Sequence, residues 1–203
     1  DEFAIEETTD ESAEYITITT DYNETTGAGD HPGANRTASY EVTFPDTGTF
    51  DLFARVYVGA DTYNDDSFFH GLGFGVKDPD SAAEWVMVNG LALGGFSDPA
   101  AVVNGPGGTE SEVWKWVNLS KNIYQSDTAS TWVLDSDELT RTFEIGAREN
   151  GLRIDKFAFG RSDLYFTVKN LNNVEPGSED TSELPYTRPI AHGKEKFLGN
   201  VYS

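Results

Sequence analysis

The run Glu149-Asn150-Gly151-Leu152-Arg153-Ile154-Asp155-Lys156-Phe157-Ala158-Phe159 decides how this chain folds. Gly151 supplies the permissive backbone of a tight turn, and the residues after it have the composition of a strand. Side chains alternate along a strand, so Leu152 and Ile154 point to one face and Arg153, Asp155 and Phe157 to the other. Asp155 lies deep in this run. A buried carboxylate without a partner is costly, so the strand calls for a positive charge beside it: a metal cation, an arginine or a lysine.

Outward from that stretch the chain reads as more strands and turns. Ser39-Tyr40-Glu41-Val42-Thr43-Phe44 alternates with Tyr40, Val42 and Phe44 inward. Pro45-Asp46-Thr47-Gly48 is a turn that Pro and Asp initiate and Gly closes. The next strand, 50–58, sets Phe50, Leu52, Ala54, Val56 and Val58 on one face. Further strands are expected at 15–20, from Phe68 into a Gly-interrupted run, at 84–88, 112–119, 131–134, 139–147 and 164–168. The Gly-rich stretch 91–108 reads as an irregular surface loop. Asp65 and Asp66 are neighbours on the chain and face opposite ways, so they do not form a glycosidase acid/base pair and read as a polar loop end. Asp135-Ser136-Asp137-Glu138 lacks the glycine and spacing of an EF-hand and reads as a solvated turn.

Composition agrees with an all-β chain. Four Trp, nine Tyr and thirteen Phe accompany 20 Gly, a mix suited to the short strands and turns of a β-sandwich. Within 203 residues there are 35 acidic and 14 basic residues, for a net charge of −21. Such a chain repels nucleic acid and anionic membrane and tolerates divalent cations and neutral partners. Cysteine is absent, which removes disulfides, thiolate metal sites and thiol catalysis; a secreted domain without disulfides can be pinned by a metal instead. No apolar run approaches the roughly 20 residues that cross a bilayer.

Several separated motifs carry a family resemblance. Arg148-Glu149-Asn150-Gly151, followed by Ile154-Asp155-Lys156-Phe157, resembles the closing strand of family 6 and family 35 carbohydrate-binding modules. The opening Phe3-Ala4-Ile5-Glu6-Glu7, the Pro45 hairpin, Asp65-Asp66-Ser67-Phe68 and Trp114-Lys115-Trp116 stand in the same order as in those modules. The resemblance implies a jelly-roll sandwich of the galactose-binding-domain kind over residues 1–168. It implies a structural Ca2+ held by Glu6 and Asp155, with carbonyls from the loop Thr26-Gly27-Ala28-Gly29-Asp30 completing the six to eight oxygens that the ion takes. The structural alternative for Glu6 and Glu7 is a solvated edge. The resemblance also implies a loop-end sugar site. Trp114 would be its exposed platform and Trp116 core, unless both indoles are core. Asn150 and Arg153 would lie beside the platform, Arg153 standing where family 6 carries its sugar-contacting Asn. His31 and Asn35 would come from the 31–36 loop, and Tyr63 would supply a second ring. Arg153 can also pair a glucuronate carboxylate, or simply neutralise nearby acids.

Beyond 168 the composition turns to Asn, Glu, Ser, Asp, Thr and Pro, and 169–188 reads as a linker. Residues 189–203, with Lys196-Phe197-Leu198-Gly199-Asn200-Val201, resemble the first strand of a family 10 glycoside hydrolase; one strand cannot close a barrel of about 250 residues. The expected function is therefore a non-catalytic, monomeric module of a secreted or cell-surface bacterial protein, targeting a xylanase to plant cell-wall polysaccharide such as xylan, with no nucleic-acid or membrane partner. The alternative is a structural or protein-binding spacer, and exposure of Trp114 separates the two. An enzyme on the sandwich itself lacks support, because the three His (His31, His70 and His192) form no nucleophile–base motif. The sequons at Asn23, Asn35 and Asn118 are those a Thr-rich chain carries by chance.

Overall fold

The computed structural model describes residues 2–7, 14–22, 29–121, 130–136 and 138–179. The family 10-like tail, the later part of the expected linker, and Thr26, Gly27 and Ala28 of the proposed carbonyl loop lie outside these residues, as do Asn23 and Asp137. The described chain is a β-sandwich of two antiparallel sheets. The first contains β1 (Phe3–Glu7), β2 (Glu14–Ile18), β10 (Arg153–Arg161), β4 (Gly48–Tyr57) and β7 (Lys115–Asn118) in that spatial order, and β8 (Trp132–Leu134) also pairs with β4. The second runs β3 (Thr37–Thr43), β9 (Thr140–Ala147), β5 (Phe68–Gly71) and β6 (Trp85–Val88).

Alternation builds the core between the sheets. Tyr40, Val42 and Phe44 from one sheet meet Phe50, Leu52, Ala54 and Val56 from the other, and all are buried in one apolar cluster. Trp132, Phe143 and Phe159 cross edge to face within it, an arrangement that adds to the burial of ring area.

One register differs from simple alternation. β10 pairs Ile154 with Val56 and then Lys156 with Arg55, so a bulge falls at Asp155. The extra residue changes the phase of the strand. Phe157, expected on the face of Arg153 and Asp155, instead joins Leu152 and Ile154 in the core. The bulge lets the strand keep Asp155 out of the apolar core while returning Phe157 and Phe159 to it.

The outer face of the first sheet is half covered. Phe53, Trp116 and Ala158 form a second buried cluster with Val103, Leu164, Phe166, Val168 and Leu171. This corrects two expectations. Residues 164–168 do not extend as a strand; Val168–Asn173 is a helix, α1, and 169–179 are not a free linker. Thr167 caps α1, its side chain accepting from the Asn170 N–H while the Asn170 side chain accepts from the Thr167 N–H, a reciprocal arrangement that satisfies orphan donors. Val168 and Lys169 donate to the carbonyls of Ala101 and Pro99, and Ser178 pairs with Tyr165. The loop at 91–108 is likewise not all surface: Leu91, Ala92 and Val103 are buried. Among the described residues no helix is long and apolar enough to cross a membrane.

Two outcomes follow for stability. Leu171→Ala removes an apolar side chain from beneath α1 and is expected to cost about 3 kcal/mol in urea unfolding; an exposed linker residue would cost nothing measurable. His70 is fully buried, and its Nδ1 bonds the Gly71 carbonyl at 2.9 Å. Burial pushes its pKa down from 6.5 to about 4, so the folded state holds it neutral where the unfolded chain would protonate it. Its contribution is full above pH 6.5 and is lost as pH falls towards 4, about 3 kcal/mol over that window. Unfolding free energies at pH 7 and pH 4.5 should therefore differ more in the natural protein than in His70→Gln.

Candidate functional site

The uncovered half of the outer sheet face carries a ledge of aromatic and cationic side chains. Because Ile154, Val56 and Ile18 enter the core, their neighbours Arg153, Arg55, Tyr57 and Thr17 point the other way. Register aligns Arg153 with Tyr57 on one side and Thr17 on the other. Lys115 pairs with Val56, which sets Trp114, just ahead of β7, beside Tyr57. The Trp114 ring lies 5.5 Å from Tyr57 and 5.7 Å from Tyr15. The Arg55 guanidinium sits 5.1 Å from the Trp114 ring centroid. That of Arg153 lies 5.3 Å from Tyr15 and 4.8 Å from Tyr57. Trp114, Tyr57 and Arg153 remain partly exposed, while Tyr15 is buried beneath them. Trp116, two residues on and on the same side of the sheet, is buried in the second cluster with its indole N–H donating to Asn172.

Ion pairs and hydrogen bonds hold these rings in place. Arg55 donates to Asp155 at 2.7 Å, both side chains being nearly inaccessible (6% and 4% exposed), and Lys156 approaches the same carboxylate at 3.6 Å. The Tyr15 hydroxyl donates to Glu6 at 2.7 Å. That bond first, and burial second, raise the Tyr15 phenol above its usual pKa against the pull of Arg153. Behind Trp114, the buried Lys115 ammonium donates to the carbonyls of Ala92, Thr109 and Glu110. It thereby ties down the loop from which Trp114 emerges. Burial pushes Lys115 down to about 8, with the Asp66 charge pulling it back.

Of the residues expected at the sugar site, the structure brings Trp114 and Arg153 together through Tyr57. Among the described residues, none of these ring and guanidinium contacts involves the other four. Asn150 is exposed in the β9–β10 turn, its N–H donating to Asp21. His31 is partly buried with an unbonded Nδ1. Asn35 is exposed, with a left-handed backbone at φ 65°. Tyr63 is 64% exposed on a 3-10 turn at Thr62–Asn64. Asp65 and Asp66 are structural. Asp65 receives the Asp61 N–H and fills the space beside Gly151, whose φ of 81° and missing Cβ admit it. Asp66 receives the Ala92 N–H at 3.0 Å. Burial raises both carboxyls.

Both residues expected to hold calcium make contacts within the protein. Asp155 is already bonded by Arg55 and Lys156, and Glu6 by Tyr15. Among the described residues no group of three or more His, Cys, Asp or Glu is gathered to hold a metal. Arginine and lysine both stand beside the buried carboxylate.

Sequence reasoning missed Tyr15, Tyr57 and Arg55. The signal for two of them was present, since placing Ala54, Val56 and Val58 inward leaves Arg55 and Tyr57 outward. Comparison of the chain with protein-family models, curated proteins and solved structures finds no match.

Asp155→Asn removes the buried ion pair with Arg55 and should lower stability by about 3 kcal/mol, whereas Arg55→Met with Asp155→Leu should recover most of the loss. Calcium and chelator should give the same Tm in the natural protein; a Tm that falls in chelator would show a cation contributing at this carboxylate.

Proposed function

We propose that the described domain is a non-catalytic carbohydrate-binding module that holds an appended glycoside hydrolase, a xylanase of a secreted or cell-surface bacterial protein, against a plant cell-wall polysaccharide such as xylan. The observation that carries this reading is the partly exposed Trp114 indole, braced by Tyr15, Tyr57 and Arg55 on an open sheet face. Flat rings stack on the C–H faces of pyranoses while polar groups around them bind hydroxyls. Here Tyr57 packs against the indole and the Arg153 guanidinium lies over Tyr57. The rings are held by neighbours, so little side-chain freedom is lost on binding, which favours affinity.

Binding rather than turnover is the reading because the carboxylates at the ledge are committed elsewhere, Glu6 to Tyr15 and Asp155 to Arg55. Neither is placed to flank a glycosidic bond as a hydrolase pair must be. The benefit of such a module is effective concentration: a tethered enzyme samples the bound polymer repeatedly.

Titration with xylo-oligosaccharides should give a saturable blue shift of tryptophan fluorescence, and Trp114→Ala should weaken binding more than about tenfold. Tyr63→Ala, outside the ring and guanidinium contacts that brace Trp114, should leave affinity unchanged. No response to xylan, mixed-linkage glucan or galactan fragments would instead support a spacer or protein-binding domain.

A further inference from the structure

Lys115 is completely buried and, among the described residues, has no carboxylate within ion-pair distance, in a chain with 35 acidic residues against 14 basic ones. Its three N–H donors go to neutral carbonyls: Thr109 at 2.8 Å, Glu110 at 3.1 Å and Ala92 at 3.3 Å. These carbonyls come from the two ends of one glycine-rich loop, 91–110. The ends are also tied to each other. Gly95 donates to the Pro106 carbonyl at 2.8 Å, and Gly108 and Thr109 donate to that of Gly95. Gly95, at φ 88°, lies so close to the lysine stem that a Cβ there would stand 3.2 Å from Lys115 Cδ. The loop closes over the side chain as a clasp closes over a pin. The Ser111 hydroxyl donates to the Ala92 carbonyl and the Glu112 N–H to that of Val58, so the segment leading into Trp114 is anchored through the same cluster.

Taking an ammonium out of water without a counter-charge beside it is unfavourable, and neutral carbonyls offset only part of the cost. Segments that carry such a cost open more readily than the domain unfolds. We infer that loop 91–110 is a clasp that opens locally around Lys115, releasing the ammonium to water together with the segment that carries Trp114, and that alkaline pH holds it shut. The clasp does not depend on what Trp114 binds. Burial lowers Lys115 from 10.5 to about 8 in the closed loop, and opening returns it to the ordinary lysine value. Between those two values the open state holds the extra proton, so closing is favoured as pH rises from about 8 to 10.5. Below 8 both states are protonated and the balance is constant. The charged neighbours are carboxylates. Asp66, which accepts from Gly90 and Ala92 beside the clasp, pulls the lysine back up, and Glu149 accepts from the Asp66 N–H. Glu110 and Glu112 on the loop side are exposed, and the 3-10 turn Leu91–Leu93 carries no charge.

The chain has no cysteine, so a single thiol reports on opening. Ala92→Cys places one at a position 1% exposed inside the clasp, and Leu93→Cys, at a position 59% exposed in the same turn, corrects for thiol reactivity at each pH. With iodoacetamide on the whole chain, the labelling rate of Ala92→Cys relative to Leu93→Cys should fall about tenfold between pH 7.5 and pH 9.5. At pH 7.5 it should exceed the rate that global unfolding, measured in urea, allows. With Lys115→Met added, the ratio should hold within about twofold over the same range. A ratio that does not fall in the presence of Lys115, a fall of equal size with Lys115→Met, or labelling only at the rate of global unfolding would overturn the clasp. Carbon NMR of the chain labelled at lysine Cε needs no thiol variant: one lysine should titrate near 8, and its signal should be missing in Lys115→Met. All lysines titrating together near 10.5 would equally overturn it. None of these readouts uses a saccharide, so failure of the clasp and failure of the saccharide site are distinguishable.

Discussion

The ion pair between Arg55 and Asp155 organises both faces of the first sheet. Asp155 occupies a bulge, and the bulge returns Phe157 and Phe159 to the core after Arg153 has pointed outward. Without the extra residue a strictly alternating β10 would either bury Arg153 or expose Phe157. The carboxylate this creates is nearly inaccessible, and Arg55 neutralises it from the neighbouring strand. The same guanidinium lies against Trp114. One charge pair therefore permits the register of the core and fixes the ring that the surface presents.

The outer face of that sheet is divided between two uses. Towards one end, Phe53, Trp116 and Ala158 are sealed by α1 and the segments around it. Towards the other, Tyr57, Arg153 and Trp114 stay partly open. Trp114 and Trp116 lie two residues apart on the same side, and what separates their fates is the cover. Asn172 from α1 bonds the Trp116 indole, while the Trp114 ring lies against Tyr15, Tyr57 and the Arg55 guanidinium. An aromatic surface left uncovered, braced and flanked by cations has the chemistry of a ligand platform.

Much of this was legible in the sequence. Alternation at 40–44 and 50–58 placed the core residues of β3 and β4, and the turn chemistry of Pro45 and Gly151 marked the strand ends. The all-β sandwich followed from those patterns and from the aromatic-rich composition. Phe157 was assigned to the wrong face because a bulge leaves no mark in periodicity until its partner strand is known. The 169–179 stretch read as a linker because its apolar content is low; two residues, Val168 and Leu171, suffice to dock α1 once the cap formed by Thr167 and Asn170 fixes its start. At the site, Trp114 and Arg153 were named from a resemblance, and the structure joins them. Tyr15, which completes the ledge, comes from a strand more than a hundred residues distant in sequence from β10, and only the β2–β10 pairing brings it near. Asp155 needed a positive partner, and the sequence could not name Arg55, since that depends on which residue faces the bulge.

The most direct test of the saccharide ledge is to follow the four tryptophan indole N–H resonances by heteronuclear NMR during addition of a xylo-oligosaccharide. Trp116 and Trp85 have their indole N–H groups bonded to Asn172 and Asp78, and Trp132 is buried in the core, so these three should hold still. The ledge account predicts that the Trp114 indole signal moves and saturates, together with the amides of Tyr57 and Arg153. A titration in which Trp114 is unmoved while the loop-end amides of Asn150 and Tyr63 shift, or in which no signal shifts, would contradict it.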